Sequence, residues 1–318
     1  MILTYEQFIK HLETRFTWSP FFKVTNLCNN NCAHCCERSG PTCPIQFIPS
    51  SDIKNILTQF KGIKNFLNVV TITGGEPTMS YYTHQEYYIP QILKHCAKSG
   101  YEAYLNTNAH WTTGPHADQI FADLSNHILK FNKHKLYFRL SQDSFHNNAT
   151  ESNTEFIKWF SSNKNTQQPH SGLYMFFDTP AKFQELKTNL HKKYNIRLTQ
   201  IHTIAGSTIY QINKSNHVLC AMQYQGIQDM GRAHDNKIST QRPFTKTELF
   251  FAPYVDPEQE ICFDASGNAL LSASGNDTIK TPYYDKNGNI KTLSQIKTEL
   301  FKSAYNAYLQ EVYLSNIR

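Results

Sequence analysis

The sequence predicts an α/β protein with a layer of parallel strands. Three observations carry this. Strand-like and helix-like segments alternate about six times between about residues 20 and 205. The rhythm then breaks after about Ile204, so a smaller region of different character follows. Hydrophobic residues make up 40% of the 318 and aromatics 13%, enough to bury a proper core. Such alternation builds either an open sheet or a barrel. A count below eight does not require a complete eightfold barrel.

The elements follow in order. "LTYEQFIKHLETRF" places Phe8, Ile9, Leu12 and Phe16 at helical spacing. "FFKVT" (Phe21 to Thr25) reads as a short strand, and a cysteine-bearing loop runs from it to about Pro49. Ser50 or Ser51 is the expected N-cap of the next helix. "NVVTIT" (Asn68 to Thr73) is a β-branched, buried-strand pattern closed by Gly74-Gly75. A helix over Glu86 to Lys98, the strand "YEAYLNTN" and the helix "ADQIFADL" come next. "KLYFRLS" (Lys135 to Ser141) is a strand, and Ser152 with Glu155 forms an expected capping box before "FIKWF". "GLYMFF", the helix "AKFQELKTNLHKKY" and "IRLTQIHTI" continue the series. Beyond it, "EICFDASGNALLSA" reads as a hairpin turning at Ser266-Gly267-Asn268, with a second turn at Asn287-Gly288. Asp285, Asn287 and Asn289 hint at a calcium loop, but the acidic ligands are too few, and a plain turn is the reading. "LSQIKTELFKSAYNAYLQEVYL" closes the chain as a helix.

The formal net charge of +6 is scattered, with no run that would make a nucleic-acid arm or a polybasic membrane anchor. No stretch approaches the roughly 18 apolar residues that span a bilayer. The N-terminus carries charges where an export signal needs its apolar run, so a cytoplasmic location is expected. There, clustered cysteines are metal ligands or catalysts more often than disulfides.

"CNNNCAHCC" packs four thiols into residues 28 to 36. A structural zinc site wants four ligands, usually as two separated pairs, and no matching downstream pair exists. Three thiolates at Cys28, Cys32 and Cys35 can instead hold three irons of a [4Fe–4S] cube, leaving the fourth iron open. Neighbouring thiols point apart, so Cys36 is a bystander or a loop support. Zinc and unligated thiols stay open at this point.

The second motif narrows the choice. "TITGGEPTM" follows the second strand, and with the spacing of Cys28, Cys32 and Cys35 it resembles the radical S-adenosylmethionine (radical SAM) enzymes. The resemblance spans roughly residues 20 to 205 and includes "LNTNAHW" and "LSQDSFH" at the ends of the third and fourth strands. It implies a partial (β/α)6-type parallel barrel with a small C-terminal α+β appendage. It also implies one [4Fe–4S] cluster on Cys28, Cys32 and Cys35, with S-adenosylmethionine held by Gly74, Gly75, Glu76, Pro77, Asn106, Asn108, Ser141, Asp143 and His34. The glycines leave room for backbone carbonyls near the cofactor's amino group. Glu76 orients that group or braces the turn. Ser141 and Asp143 offer a hydroxyl and a carboxylate to the ribose, against which stands ordinary capping at a strand end. Asn106 and Asn108 also suit plain turn chemistry. His34 departs from the family, which often has a bulky aromatic before the third cysteine; imidazole can still stack on adenine, and an iron-ligand role is the lesser alternative. The implied reaction is reductive cleavage to a 5′-deoxyadenosyl radical that abstracts hydrogen from substrate, fed by an electron donor such as flavodoxin or ferredoxin.

"CCERSGP", "LSQDSFH", "MGRAHD" and "FDASGNALLSAS" resemble the SPASM and twitch branch, whose members modify peptides or proteins. That branch carries auxiliary-cluster cysteines in its tail, yet no cysteine here follows Cys262. The expected organisation is an N-terminal helical segment (1–19), a radical SAM core (20–205) and a degenerate SPASM/twitch-like region (206–318) without a second cluster. By the same resemblance Cys220 and Cys262 are candidate hydrogen-atom donors, against the plain reading of small buried apolar residues. His146 stands at the mouth of the site or merely caps, and Arg232 contacts a cofactor or substrate carboxylate or makes an ordinary ion pair. The leading function is a radical SAM enzyme acting on a ribosomal peptide or protein by epimerisation, crosslinking or maturation. The alternative is a small-molecule substrate (sugar, nucleoside or amino acid), favoured by the mere 20 or so residues before the barrel, too few for a leader-binding domain. From another class comes a non-catalytic iron–sulfur or zinc protein, which has no need of a glycine cradle. No nucleic-acid or membrane partner is expected.

Overall fold

Among the described residues, eleven strands join one sheet in the order β11-β10-β9-β1-β2-β3-β4-β5-β8-β7-β6. The computed structural model describes residues 2–62, 66–85, 88–131, 133–163, 166, 171–204, 206–213, 215–224, 231–241, 258–271 and 279–315. Glu86, Met230 and the end of "FDASGNALLSAS" therefore lie outside the described residues. The strands are β1 (Thr17–Lys23), β2 (Val69–Thr73), β3 (Glu102–Thr107), β4 (Leu136–Gln142), β5 (Ser171–Phe177), β6 (Leu198–Ile204), β7 (Ser207–Ile212), β8 (Val218–Gln223), β9 (Glu258–Asp264), β10 (Asn268–Leu271) and β11 (Lys280–Pro282). β1 to β5 are parallel neighbours in sequence order. Helices α2 (Ser50–Phe60), α3 (Tyr88–Ser99), α4 (Ala117–Lys130) and α5 (Ala149–Ser162) make the crossovers. The result is the mostly parallel α/β architecture of a partial barrel.

The sixth parallel place is not taken by "IRLTQIHTI", as the sequence suggested. α6 (Pro180–Tyr194) leads to β6, which is the outer strand of an antiparallel meander, and β8 returns to pair parallel with β5. The physical reason lies in the side chains. β6 buries only Leu198 and exposes Thr199 to Ile204, whereas β8 offers Leu219 and Ala221 to the core. At the other flank β9 pairs parallel with β1 over its whole length, so the tail extends the same sheet. The β9–β10 turn forms at Ser266-Gly267-Asn268, with Gly267 at φ +87° and Asp264 accepting from the Ser266 and Asn268 amides. Asp285 likewise accepts from the Asn287 and Asn289 amides, a plain turn.

Two cap expectations fail. Pro49 occupies the N-cap of α2, and Ser50 and Ser51 lie inside its first turn. α5 starts at Ala149 after Asn148, so Ser152 sits within the helix and Glu155 turns instead to Lys193 and Tyr194. α1 (Tyr5–Arg15) carries a capping box at Thr4 and Gln7, and packs Phe8 on Tyr305 and Tyr308 of α8 (Leu293–Ser315). Between these helices and the others, α7 (Gly231–Asp235) is a single short turn of helix. Among the described residues, no helix is long and apolar enough to cross a membrane.

Strand alternation gives the sheet two different faces. Ala103 and Leu105 of β3, Phe138 and Leu140 of β4, and Leu173 and Met175 of β5 are buried beneath the helices. Tyr104, Asn106, Tyr137, Arg139, Ser141 and Tyr174 point the other way and are half-buried.

Candidate active site

The cysteine loop leaves the end of β1, and its stem is tied to the end of β2. The Val24 amide donates to Thr73 O (2.8 Å), the Gly75 amide to Thr25 O (2.6 Å) and the Glu76 amide to Leu27 O (2.9 Å). Only glycine permits this contact. Gly74 has φ +145°, and a Cβ there would stand 2.4 Å from Thr25 O; at Gly75 it would stand 2.1 Å from Leu27 O. The sequence suggested that the glycines leave room for a cofactor. The same lack of side chains also admits the stem of the cysteine loop, which docks the two motifs on each other, while both glycines line the cavity described next.

Glu76 is fully buried, and its carboxylate accepts from the Thr78 amide (3.2 Å) and hydroxyl (2.7 Å), the Thr107 hydroxyl (2.9 Å) and the Asn108 amide (2.8 Å). Burial pushes its carboxyl pKa up against these bonds. Of the two roles considered for Glu76, bracing is the one these contacts perform. Thr78 and Thr107 were missed by sequence reading, although both lie inside the quoted motifs. Pro77 begins the 3₁₀ turn that follows.

A cavity of about 310 Å³ opens at this end of the sheet. Cys28, Cys32, Cys35 and His34 line it together with Gly74, Gly75, Asn106, Asn108 and Ser141; Glu76, Pro77 and Asp143 are not among the residues that line it. All eight cysteines are free thiols. Burial pushes the Cys28 thiol up to about 12, opposed by the Asn30 amide donating to its sulfur (3.4 Å). Asn108 reaches the same sulfur (3.7 Å) and Asn29 Oδ1 (2.8 Å). A Cys28 thiolate therefore needs a cation beside it. Among the described residues, both polar side-chain atoms of Asn30, Nδ1 of His34, Oγ of Ser39 and Oδ1 of Asn106 are buried with no partner, and all four residues line the cavity. Buried polar atoms are normally satisfied. This concentration around three thiols fits a metal cluster with a polar ligand.

The end of β4 supplies a second wall. Asp143 accepts from the Phe145 (2.9 Å) and His146 (3.0 Å) amides and holds His146 Nδ1 at 2.8 Å. Burial would raise its carboxyl, yet His146 keeps it well below the usual carboxylate range. Burial would likewise lower His146, yet Asp143 and then Cys32 raise it to about 10. The His34 ring packs 4.4 Å from that of Phe145. The α7 segment closes over the loop. The Arg232 amide donates to Cys35 O (2.9 Å), its Nε to Cys32 O (2.8 Å) and its terminal nitrogen to Ser39 O, while Asn236 holds Ala33 O (2.9 Å). Arg232 is thus a clamp on the loop backbone, a role neither sequence alternative named. Cys220 is half-buried on the inward face opposite Tyr174 of β5. Cys262 is wholly buried opposite Phe21, and burial pushes its thiol well up.

Residues 22–149 match the family model described as the Radical SAM superfamily. This is a radical SAM domain. The cysteine loop, the glycine motif and the ends of β2 to β4 all fall within it. Radical SAM enzymes use a [4Fe–4S] cluster and S-adenosylmethionine, and the thiols and orphaned polar atoms of the cavity fit that pair. No curated protein matches the chain. Among solved structures, native anSMEcpe with bound AdoMet aligns at 12% identity over 91% of this chain and 81% of that one, with a TM-score of 0.42. A histidine-tagged form of anSMEcpe with bound AdoMet aligns at 11% identity over 91% and 78%, with a TM-score of 0.43.

Proposed function

We propose that Cys28, Cys32 and Cys35 ligate one [4Fe–4S] cluster and that Gly74, Gly75, Asn106, Asn108 and Ser141 seat S-adenosylmethionine beside it. The observation that carries this reading is their convergence on one cavity ringed by unsatisfied buried polar atoms. When bound, the pair supplies one-electron cleavage of the sulfonium and hydrogen-atom abstraction from a substrate. The chain's own residues hold the parts in place. Glu76 fixes the Asn108 amide and the Thr107 hydroxyl, so Asn108 meets the sulfur of Cys28. Asp143 orders Phe145 under His34, leaving the imidazole as a flat surface for adenine. Arg232 holds the loop carbonyls.

The substrate in this reading is a peptide or protein segment. Beyond the cavity the inward face presents Tyr104, Tyr137, Tyr174, Phe176 and Met222. Such a surface suits amino-acid side chains. A sugar or nucleoside would ask for a row of amides and carboxylates for its hydroxyls. Cys220, half-buried on that face, is the better placed of the two candidate hydrogen donors. A flavodoxin or ferredoxin delivers the electron, in a reducing cytoplasm consistent with eight free thiols. The reconstituted chain with reductant and S-adenosylmethionine should release 5′-deoxyadenosine. Adding a deuterated cell extract split by ultrafiltration should put deuterium into that product from the peptide and protein fraction. Deuterium from the small-molecule fraction alone would overturn the substrate class, and no 5′-deoxyadenosine at all would overturn catalysis.

A further inference from the structure

Arg139 has no part in the site as described, yet it sits against it. On β4 it stands two residues before Ser141, which lines the cavity, and its register partner on β3 is Asn106, which lines it too. Its partner on β5 is Tyr174. The guanidinium lies 4.2 Å over the ring of Tyr104, which stacks on Tyr137 at 4.8 Å. Tyr174 completes the aromatic wall at 5.8 Å from Tyr104.

Three other cations border the cavity, and each has its need met. His146 pairs with Asp143 at 2.8 Å. Lys23 pairs with Glu37 at 2.6 Å, and Arg232 holds backbone carbonyls. Among the described residues, Arg139 has neither an ion pair nor a hydrogen bond. A half-buried guanidinium has surrendered much of its water, and an aromatic face satisfies the cation without filling its five N–H donors. The donor fork is what a planar carboxylate matches. Charge narrows the choice further. Glu260 stands opposite Ser19 of β1 in register, on the face that carries Phe21, and its charge acts on Arg139. One cation under the field of a carboxylate suits a monoanion better than a phosphate dianion.

We propose that Arg139 is the substrate-recognition cation of the inward face and binds a carboxylate of the substrate, with Tyr104 and Tyr174 flanking the bound group. This rests on the reading that substrate lies on the inward face beside the cofactor cavity. A carboxylate can come from a peptide C-terminus or from an acidic side chain, and the test separates them.

The reconstituted enzyme with S-adenosylmethionine and no reductant is titrated with N-acetyl-tyrosine, carrying a terminal carboxylate, and with N-acetyl-isoglutamine, carrying only a side-chain carboxylate. N-acetyl-tyrosinamide and N-acetyl-glutamine amide are the neutral controls, and binding is read by saturation-transfer NMR. At least one carboxylate probe should bind tenfold or more tighter than its amide, and the tighter one names the source. Arg139→Gln should abolish that preference. Arg139→Lys, which keeps charge but not the fork, should cut it about fivefold, and it decides the matter if the glutamine variant fails to fold. Equal binding of acids and amides by wild type would overturn the proposal. So would a tenfold loss of S-adenosylmethionine affinity in Arg139→Lys, which would put Arg139 on the cofactor instead. Release of 5′-deoxyadenosine by the wild type is scored separately, so failure of the radical chemistry is not mistaken for failure of Arg139.

Discussion

The two faces of β3 and β4 obey the same alternation and do opposite work. Ala103, Leu105, Phe138 and Leu140 are packed to near-zero exposure beneath α4 and α5, where Phe138 meets Phe156 at 5.1 Å and Phe160 at 6.0 Å. One residue along, Tyr104, Asn106, Arg139 and Ser141 are half-buried, and they include polar atoms without partners among the described residues. The covered face of these strands is apolar and makes the fold. The inward face is left unsaturated, and that is where a ligand gains affinity.

Substitutions on each face should therefore fail differently. The largest effect falls on the cavity: Cys28, Cys32 and Cys35 changed together to Ala should take iron from about four per chain to none after anaerobic reconstitution, with helical circular dichroism retained. Iron persisting at about four would move the cluster to other thiols. On the covered face, Phe138→Ala should lower unfolding stability by about 3–5 kcal/mol in a urea titration, while iron per folded chain stays the same. A pH series probes the covered side again. His127, buried on α4, shares a 3.1 Å contact with His134, and burial pushes them down to about 3 and about 4. Both are neutral in the fold. Their stability is thus complete above the unfolded value of about 6.5 and falls as pH drops below it, by at most about 1.4 kcal/mol per unit for each. His127→Asn should flatten the decline of Tm between pH 6.5 and 4; an unchanged slope would mean the pair is solvated. Gly75→Ala tests the docking of the two motifs. The clash with Leu27 O should cost about 1–3 kcal/mol and, unlike Phe138→Ala, should also reduce retained iron. The smallest effect belongs to Ser141→Ala, which should weaken S-adenosylmethionine about fivefold by equilibrium dialysis, the worth of one hydrogen bond of about 1 kcal/mol, with iron unchanged.

Much of this was legible in the chain because it is local. The spacing of Cys28, Cys32 and Cys35, and the Gly74 to Pro77 motif at a strand end, are short-range patterns, and the three cysteines and the glycine pair line one cavity. What escaped is what depends on distant partners. "IRLTQIHTI" has the composition of a strand, but its place at the sheet edge depends on "VLCAM" competing better for β5. Ser152 resembles a cap until Asn148 starts the helix first. Arg232 was singled out, yet its targets are carbonyls some 200 positions away, which no spacing reveals.

The sequence by itself determined the α/β class, the thiol triad and the glycine motif, because periodicity and ligand spacing are written along the chain. Only the tertiary structure decided that the glycines serve the stem of the cysteine loop, that Glu76 is a brace, and that Arg139 faces inward beside the cavity with its donors unfilled among the described residues. Those facts follow from strand register and from backbones meeting across long separations, and the energy of such a contact is set by both of its sides.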